Sequence, residues 1–160
     1  MAKPKGLTHV DPRGQAHVVD VGQKPSTHRT AEAVAIVHTT PEVAKAIGEG
    51  SVAKGDVAAV ARIAAIMGAK RTSELVPLCH PLALTAVSAD VSVDRKGSVT
   101  LTVRAECTGP TGVEMEAMTG ASIGALTIYD MIKGMDRGAA IARVELRSKA
   151  GGRSGEWRRR

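Results

Sequence analysis

Two alternating runs around a tight polar turn constrain this chain more than any other feature. Val87, Ala89, Val91 and Val93 alternate with Ser88, Asp90 and Ser92. Beyond Asp94-Arg-Lys-Gly97, Val99, Leu101, Val103 and Ala105 alternate with Thr100, Thr102, Arg104 and Glu106. A period of two places each apolar set on one face of a strand. A short turn carrying Asp and Gly joins antiparallel partners. The expected product is a long hairpin, strands 82–93 and 99–107, whose apolar face a second layer must cover.

Helices supply that layer. Thr40-Pro41-Glu42 reads as an N-cap, a proline at the first helical position and an acid near the positive helix end, and the short helix stops at Gly48. Residues 56–70 read as a second helix with Val57, Val60, Ala61, Ala64 and Met67 on its apolar face. Residues 72–76 add a turn, and residues 113–135 form a long helix. Residues 33–38 and 141–147 are short, β-branched and strand-like. The order strand, helices, strand, strand, helix, strand is the split β-α-β of a ferredoxin-like α+β sandwich, with an antiparallel sheet and an additional helix. Residues 1–30 read as a loose N-terminal arm, in which 17–21 is an extended piece. Residues 31–147 form the ferredoxin-like domain, and residues 148–160 a Gly/Arg-rich tail.

Composition narrows the partners. The 160 residues hold one Trp, one Tyr and no Phe, so the core must be built from Ala, Val, Ile, Leu and Met. Modules that stack bases on aromatic side chains have little to work with here. Ala117, Ala121 and Ala125, with Gly120 and Gly124, let another backbone approach the long helix, either within the chain or from a second copy. The net charge is +6, but residues 143–160 alone carry +5, so the rest of the chain is nearly neutral. Cys79 and Cys107 allow one disulfide at most and form no C-x-x-C pair. No apolar run reaches membrane length and no signal-peptide core is evident. The expectation is a cytoplasmic chain with both thiols reduced. The five His and two Cys show no zinc spacing, so no metal site is expected.

Several clusters carry potential chemistry beside a bland reading. Lys54-Gly55-Asp56 reads as a solvated lysine and a helix cap, or as a backbone-close ligand contact. Pro77-Leu78-Cys79-His80-Pro81 is stiffened at both ends, which pre-organises a histidine. Glu114-Met115-Glu116 suits the positive end of a helix, and its carboxylates also suit a donor-rich heterocycle such as guanine or pterin. Asp130 and Lys133 are spaced for an i,i+3 surface pair or for an acid/base pair. Lys149-Ala-Gly-Gly-Arg153-Ser-Gly155 is a disordered basic tail by composition, but its glycines and cations also suit phosphate oxygens. Glu116 and Asp130 are 14 positions apart, roughly 21 Å along a continuous helix. If both serve one small ligand, a neighbouring chain must bring one of them.

These strings resemble the cyclic pyranopterin monophosphate synthase (molybdenum-cofactor biosynthesis protein C) family. The matches are His17-Val-Val-Asp20-Val, Lys54-Gly-Asp-Val57, Ala61-Arg-Ile63, Pro77-Leu-Cys-His-Pro81, Thr111-Gly-Val-Glu-Met-Glu-Ala117, Ala125-Leu-Thr-Ile-Tyr-Asp-Met131 and Gly151-Gly-Arg-Ser-Gly155. The resemblance covers nearly the whole chain, from about Leu7 to Gly155. The resemblance implies a ferredoxin-like subunit in a homohexamer, a trimer of dimers, with the site at an interface. It implies conversion of 3′,8-cyclo-7,8-dihydro-GTP to cyclic pyranopterin monophosphate with release of diphosphate. By motif, Asp130 is the active-site acid and Lys54 and Lys133 the proton-transfer lysines. Leu78, Cys79, His80, Met115 and Glu116 match substrate-binding segments, and Glu114, Asp20, Arg29 and Lys149 would line the same pocket. A lysine performs such chemistry near neutral pH when desolvation and a cationic neighbour lower its pKa. No cofactor is required by these residues; Mg2+ is compatible with the triphosphate. The terminal Trp157-Arg-Arg-Arg160 lies outside the resemblance. The competing readings are a basic RNA-binding module on a ferredoxin-like fold and a non-catalytic oligomeric scaffold.

Overall fold

A computed structural model describes residues 13–160; the first 12 residues of the expected arm lie outside the described residues. The elements are β1 (Thr27–His38), α1 (Pro41–Gly48), α2 (Val57–Lys70), α3 (Thr72–Leu75), β2 (Leu84–Val93), β3 (Ser98–Gly109), α4 (Glu114–Ile132), β4 (Ala140–Ala150) and β5 (Trp157–Arg158). The sheet order is β2-β3-β1-β4-β5, with every neighbouring pair antiparallel. The first four strands give the ferredoxin-like α+β arrangement, and β5 is added at one edge.

The hairpin forms as its alternation requires. Val99, Leu101, Val103 and Ala105 are buried along β3, as are Ala31, Ala33, Ala35 and Val37 along β1. Asp94 closes the turn by accepting hydrogen bonds from the backbone N–H groups of Lys96 and Ser98, both 2.8 Å. Thr40 caps α1 through Val43 N–H, and Asp56 caps α2 through Ala59 N–H.

Without Phe to fill space, the layers close by small-residue contact. A Cβ on Gly124 would lie 2.3 Å from Leu101 Cδ2 and 3.2 Å from the Ala61 carbonyl oxygen, so glycine is what lets α4 touch both the sheet and α2. Ala117, Ala121 and Ala125 are fully buried. Packing within one chain therefore accounts for the small-residue face of α4, without a second copy.

Three expectations need correction. The apolar face assigned to α2 was chosen by hydropathy, whereas side-chain size decides. Val57, Ala61, Ala65, Gly68 and Ala69 are buried, while Val60, Ile63 and Met67 are 42%, 60% and 48% exposed. Close approach of α4 selects the small residues and turns the long ones outward. Second, β1 begins at Thr27, six residues before the expected start and inside the segment read as an arm. Its polar first half is held by pairing, Thr27 with Gly109 and Thr30 with both Glu106 and Ala150. By contrast, 17–21 joins no strand. Third, the tail is not loose: β4 runs to Ala150 and β5 folds back on Ser148 and Lys149.

Candidate functional site

Two groups of titratable side chains sit at opposite ends of α4. At its N-terminal end is a cavity of about 340 Å³. Leu78, Cys79 and His80 form one wall, and Thr111, Gly112, Glu114, Met115 and Glu116 another; Val19, Val21, Lys24 and Leu82 complete it. The segment before β2 is shaped locally by Pro77: Cys79 N–H donates to the Val76 carbonyl, 3.0 Å, and residues 79–83 join no helix or strand before β2 begins at Leu84. His80 Nε2–H donates to the Val19 carbonyl, 2.7 Å, which leaves Nδ1 for another partner. That bond also ties the segment before β1 to the cavity.

Glu116 is only 4% exposed. Burial pushes its carboxyl pKa up, and the charge of Glu114 adds to the effect. The Cys79 thiol is raised by burial and by the nearby Glu116 charge, so it rests as a thiol rather than a nucleophilic thiolate. Cys79 and Cys107 are both free.

At the C-terminal end of α4, three expected residues converge. Lys54 sits in the loop before α2, positioned by the Gly55 turn and the Asp56 cap. Its Nζ donates to the Asp130 carboxylate, 3.1 Å, and to the Asp130 main-chain carbonyl, 2.7 Å. That carbonyl is an orphan of the last helical turn, where a cation is favoured. Lys133 Nζ reaches the other carboxylate oxygen at 2.6 Å. Hydrogen bonds from Lys133 and Lys54 hold the Asp130 carboxyl below the usual range. Asp130 in turn pushes the Lys133 pKa up. The cluster is open, with each side chain about half exposed. At Lys133 in a single chain, the hydrogen bond and charge of Asp130 outweigh desolvation, so its pKa goes up rather than down.

The remaining expected residues, Asp20, Arg29 and Lys149, are not part of the cavity lining. Asp20 turns its carboxylate onto Gly22 N–H, 2.8 Å, between the lining residues Val19 and Val21. Arg29 donates to the carbonyls of Gly109 and Pro110, at 3.4 and 3.3 Å, bracing the loop that enters α4. Lys149 donates to Ser154 Oγ within its own loop. Lys24 was not foreseen as a lining cation, because its segment read as an unstructured arm. Pro25 beside it was the only local sign of a fixed backbone.

A wider groove of about 560 Å³ lies between α1 and the β2–β3 turn. It holds none of the expected residues; along it Lys45 pairs with Glu49 and Asp94 accepts from its own turn. Among the described residues, no group of three or more His, Cys, Asp or Glu could hold a metal ion. None of the described helices is long and apolar enough to cross a membrane.

Together these features define a ferredoxin-like α+β domain with a cavity of mixed apolar and charged lining at one end of a helix and a Lys-Asp-Lys cluster at the other. The model of the MoaC family matches residues 18–152, and the chain belongs to that family. A cyclic pyranopterin monophosphate synthase from Thermomicrobium roseum is 55% identical over 154 residues, covering 96% of this chain and 93% of its own. These matches give no support to the RNA-binding reading. Strands β1 to β4 also hold no Phe, Tyr or Trp on which bases could stack.

Proposed function

We propose that this chain is a cyclic pyranopterin monophosphate synthase that converts 3′,8-cyclo-7,8-dihydro-GTP to the pyranopterin and releases diphosphate. The reading is carried by the convergence of Lys54 and Lys133 on the Asp130 carboxylate, from positions 76 and 3 residues away. Opening the bond between base and sugar needs a proton donor, and rebuilding the rings needs an acceptor. Two lysines hydrogen-bonded to one carboxylate can exchange both roles. Glu116, His80 and the backbone around Leu78 and Met115 bind the heterocycle by hydrogen bonds, since no Phe, Tyr or Trp lines the cavity to stack on it. Lys149 and Arg29 face the phosphates, where cations stabilise charge on the departing diphosphate. Mg2+ is treated as a companion of the triphosphate, with no protein ligand assigned to it.

The proposal includes a homohexamer, a trimer of dimers, with each site shared between chains. Separation along α4 supports sharing: one chain cannot place Glu116 and Asp130 on the same small substrate. Exposed Val60, Ile63 and Met67 on α2 and Leu126 on α4 offer an apolar helical surface for association. Closure by a second chain would also desolvate Lys133 and move its pKa down from the value it has in the open cluster. The setting is cytoplasmic, in keeping with a biosynthetic relative and two free thiols.

The test is direct. Purified protein given the cyclic GTP intermediate should form pyranopterin and diphosphate in equal amounts. Absence of product from well-folded wild-type protein would refute the reading.

A further inference from the structure

We propose that the C-terminal strand β5, anchored by Arg159, is a positioning element that sets the phosphate-facing loop 150–156. The inference rests on the function proposed above and adds a role for residues beyond the 18–152 matched by the family model.

Lys149 is held from both sides. Its backbone pairs with Ala31 of β1 and with Trp157 of β5. Arg159 fixes the outer strand. Its N–H donates to the Arg147 carbonyl, 2.8 Å, and its Nε–H to the Leu146 carbonyl, 2.8 Å. The same guanidinium lies 3.6 Å from the nearly buried Glu145 carboxylate and 5.8 Å from the Trp157 ring centre. A residue with two hydrogen bonds into β4, an ion pair and a ring contact is a built anchor rather than a frayed end.

The loop between β4 and β5 is shaped to lie flat on β1. Gly151 and Gly152 have φ of +95° and +71°, which favour glycine. A Cβ on Gly151 would lie 2.1 Å from the His28 carbonyl oxygen, and one on Gly152 1.5 Å from Arg29 Nη1. Arg29 then reaches the carbonyls of Gly109 and Pro110, next to the cavity wall at Thr111 and Gly112. Lys149, near the end of β4, is tied to Ser154 of this loop. Closing the hairpin with β5 thus fixes two cations, Lys149 and Arg29, before ligand arrives. A loop with three glycines and no closing strand would have to be ordered by the ligand, at a cost in affinity.

The group that benefits is the substrate's phosphate chain, so the probe is inorganic diphosphate. In a chain ending at Glu156, and in Arg159→Ala, KM and the diphosphate dissociation constant should rise about tenfold, while kcat stays within about twofold. Arg159→Lys should lose as much as Arg159→Ala, because a flexible ammonium does not reproduce the fixed Nε–H aimed at Leu146 beside Glu145 or the planar group over Trp157. Trp157 is the only tryptophan, so its emission reads the strand alone and should shift to the red in both Arg159 variants. Unchanged diphosphate binding in the shortened chain, rescue by Arg159→Lys, or an unshifted Trp157 emission would each overturn the proposal. Wild-type protein that forms no pyranopterin would instead refute the activity on which it rests.

Discussion

The two ends of α4 treat a carboxylate in opposite ways. At the N-terminal end Glu116 is buried beside Glu114, and its pKa is raised. At the C-terminal end Asp130 is open to solvent between two lysines, and its pKa is lowered. The first environment disfavours charge and suits a hydrogen-bonding pocket. The second stabilises charge and is too open to tune a lysine unaided. The helix dipole reinforces the lysine end, where cations meet its last carbonyls. The 19 residues of α4 hold the two ends apart.

The contrast breaks most sharply in turnover. Lys54→Ala or Asp130→Asn should lower kcat by about 10²- to 10⁴-fold, the range of a lost proton-transfer group. The same substitutions should leave the melting temperature within about 1 °C, because exposed ion pairs contribute little. Calorimetry alongside product formation checks both. If either variant kept full turnover, the cluster would be structural.

Gly124→Val attacks the spacer between the ends. Its side chain would strike Leu101 Cδ2 and crowd the Ala61 carbonyl. Overpacking of this kind costs about 1–3 kcal/mol, to be read by chemical denaturation. A stability unchanged by the substitution would show that α2 and α4 can separate freely.

The smallest effect tests the electrostatics of the cavity. The Glu116 pKa in the folded chain lies above that of an unfolded glutamate, about 4.3. The contribution of its neutral form is complete below that pH and is lost as pH rises through the raised value. Glu116→Gln removes the charged form, so at pH 7 the melting temperature should rise. The gain should vanish as pH falls toward 4. Asp130 has the opposite sign: its stabilisation is present above the ordinary aspartate value and lost as pH falls through the lowered one. A Glu116→Gln gain that persisted at pH 4 would place its cause elsewhere.

Much of this fold was legible because alternation and capping act locally. The hairpin follows from Val87–Val93 and Val99–Ala105, and the helix starts from Thr40 and Asp56. The buried face of α2 was not, because close packing against Gly120 and Gly124 sorts residues by size and the long side chains face out. The first half of β1 and all of β5 were missed for another reason. Thr27-His-Arg-Thr30 and Trp157-Arg158 have no alternation of their own, and partners far along the chain make them strands. The residues of the cavity were legible as strings, apart from Lys24. Contact between Lys54 and Asp130 was not, since no local period links positions 76 apart; the family motifs alone put them together.

The central claim is that one site draws its pocket from one chain and its Lys-Asp-Lys cluster from another. Co-assembly of His80→Ala chains with Lys133→Ala chains tests it most directly. Each variant damages a different end of α4, so a shared site predicts that mixed assemblies recover activity neither variant has alone, up to about a quarter of wild type for random two-chain pairing. Mixed assemblies no more active than the sum of the separate variants would contradict the account.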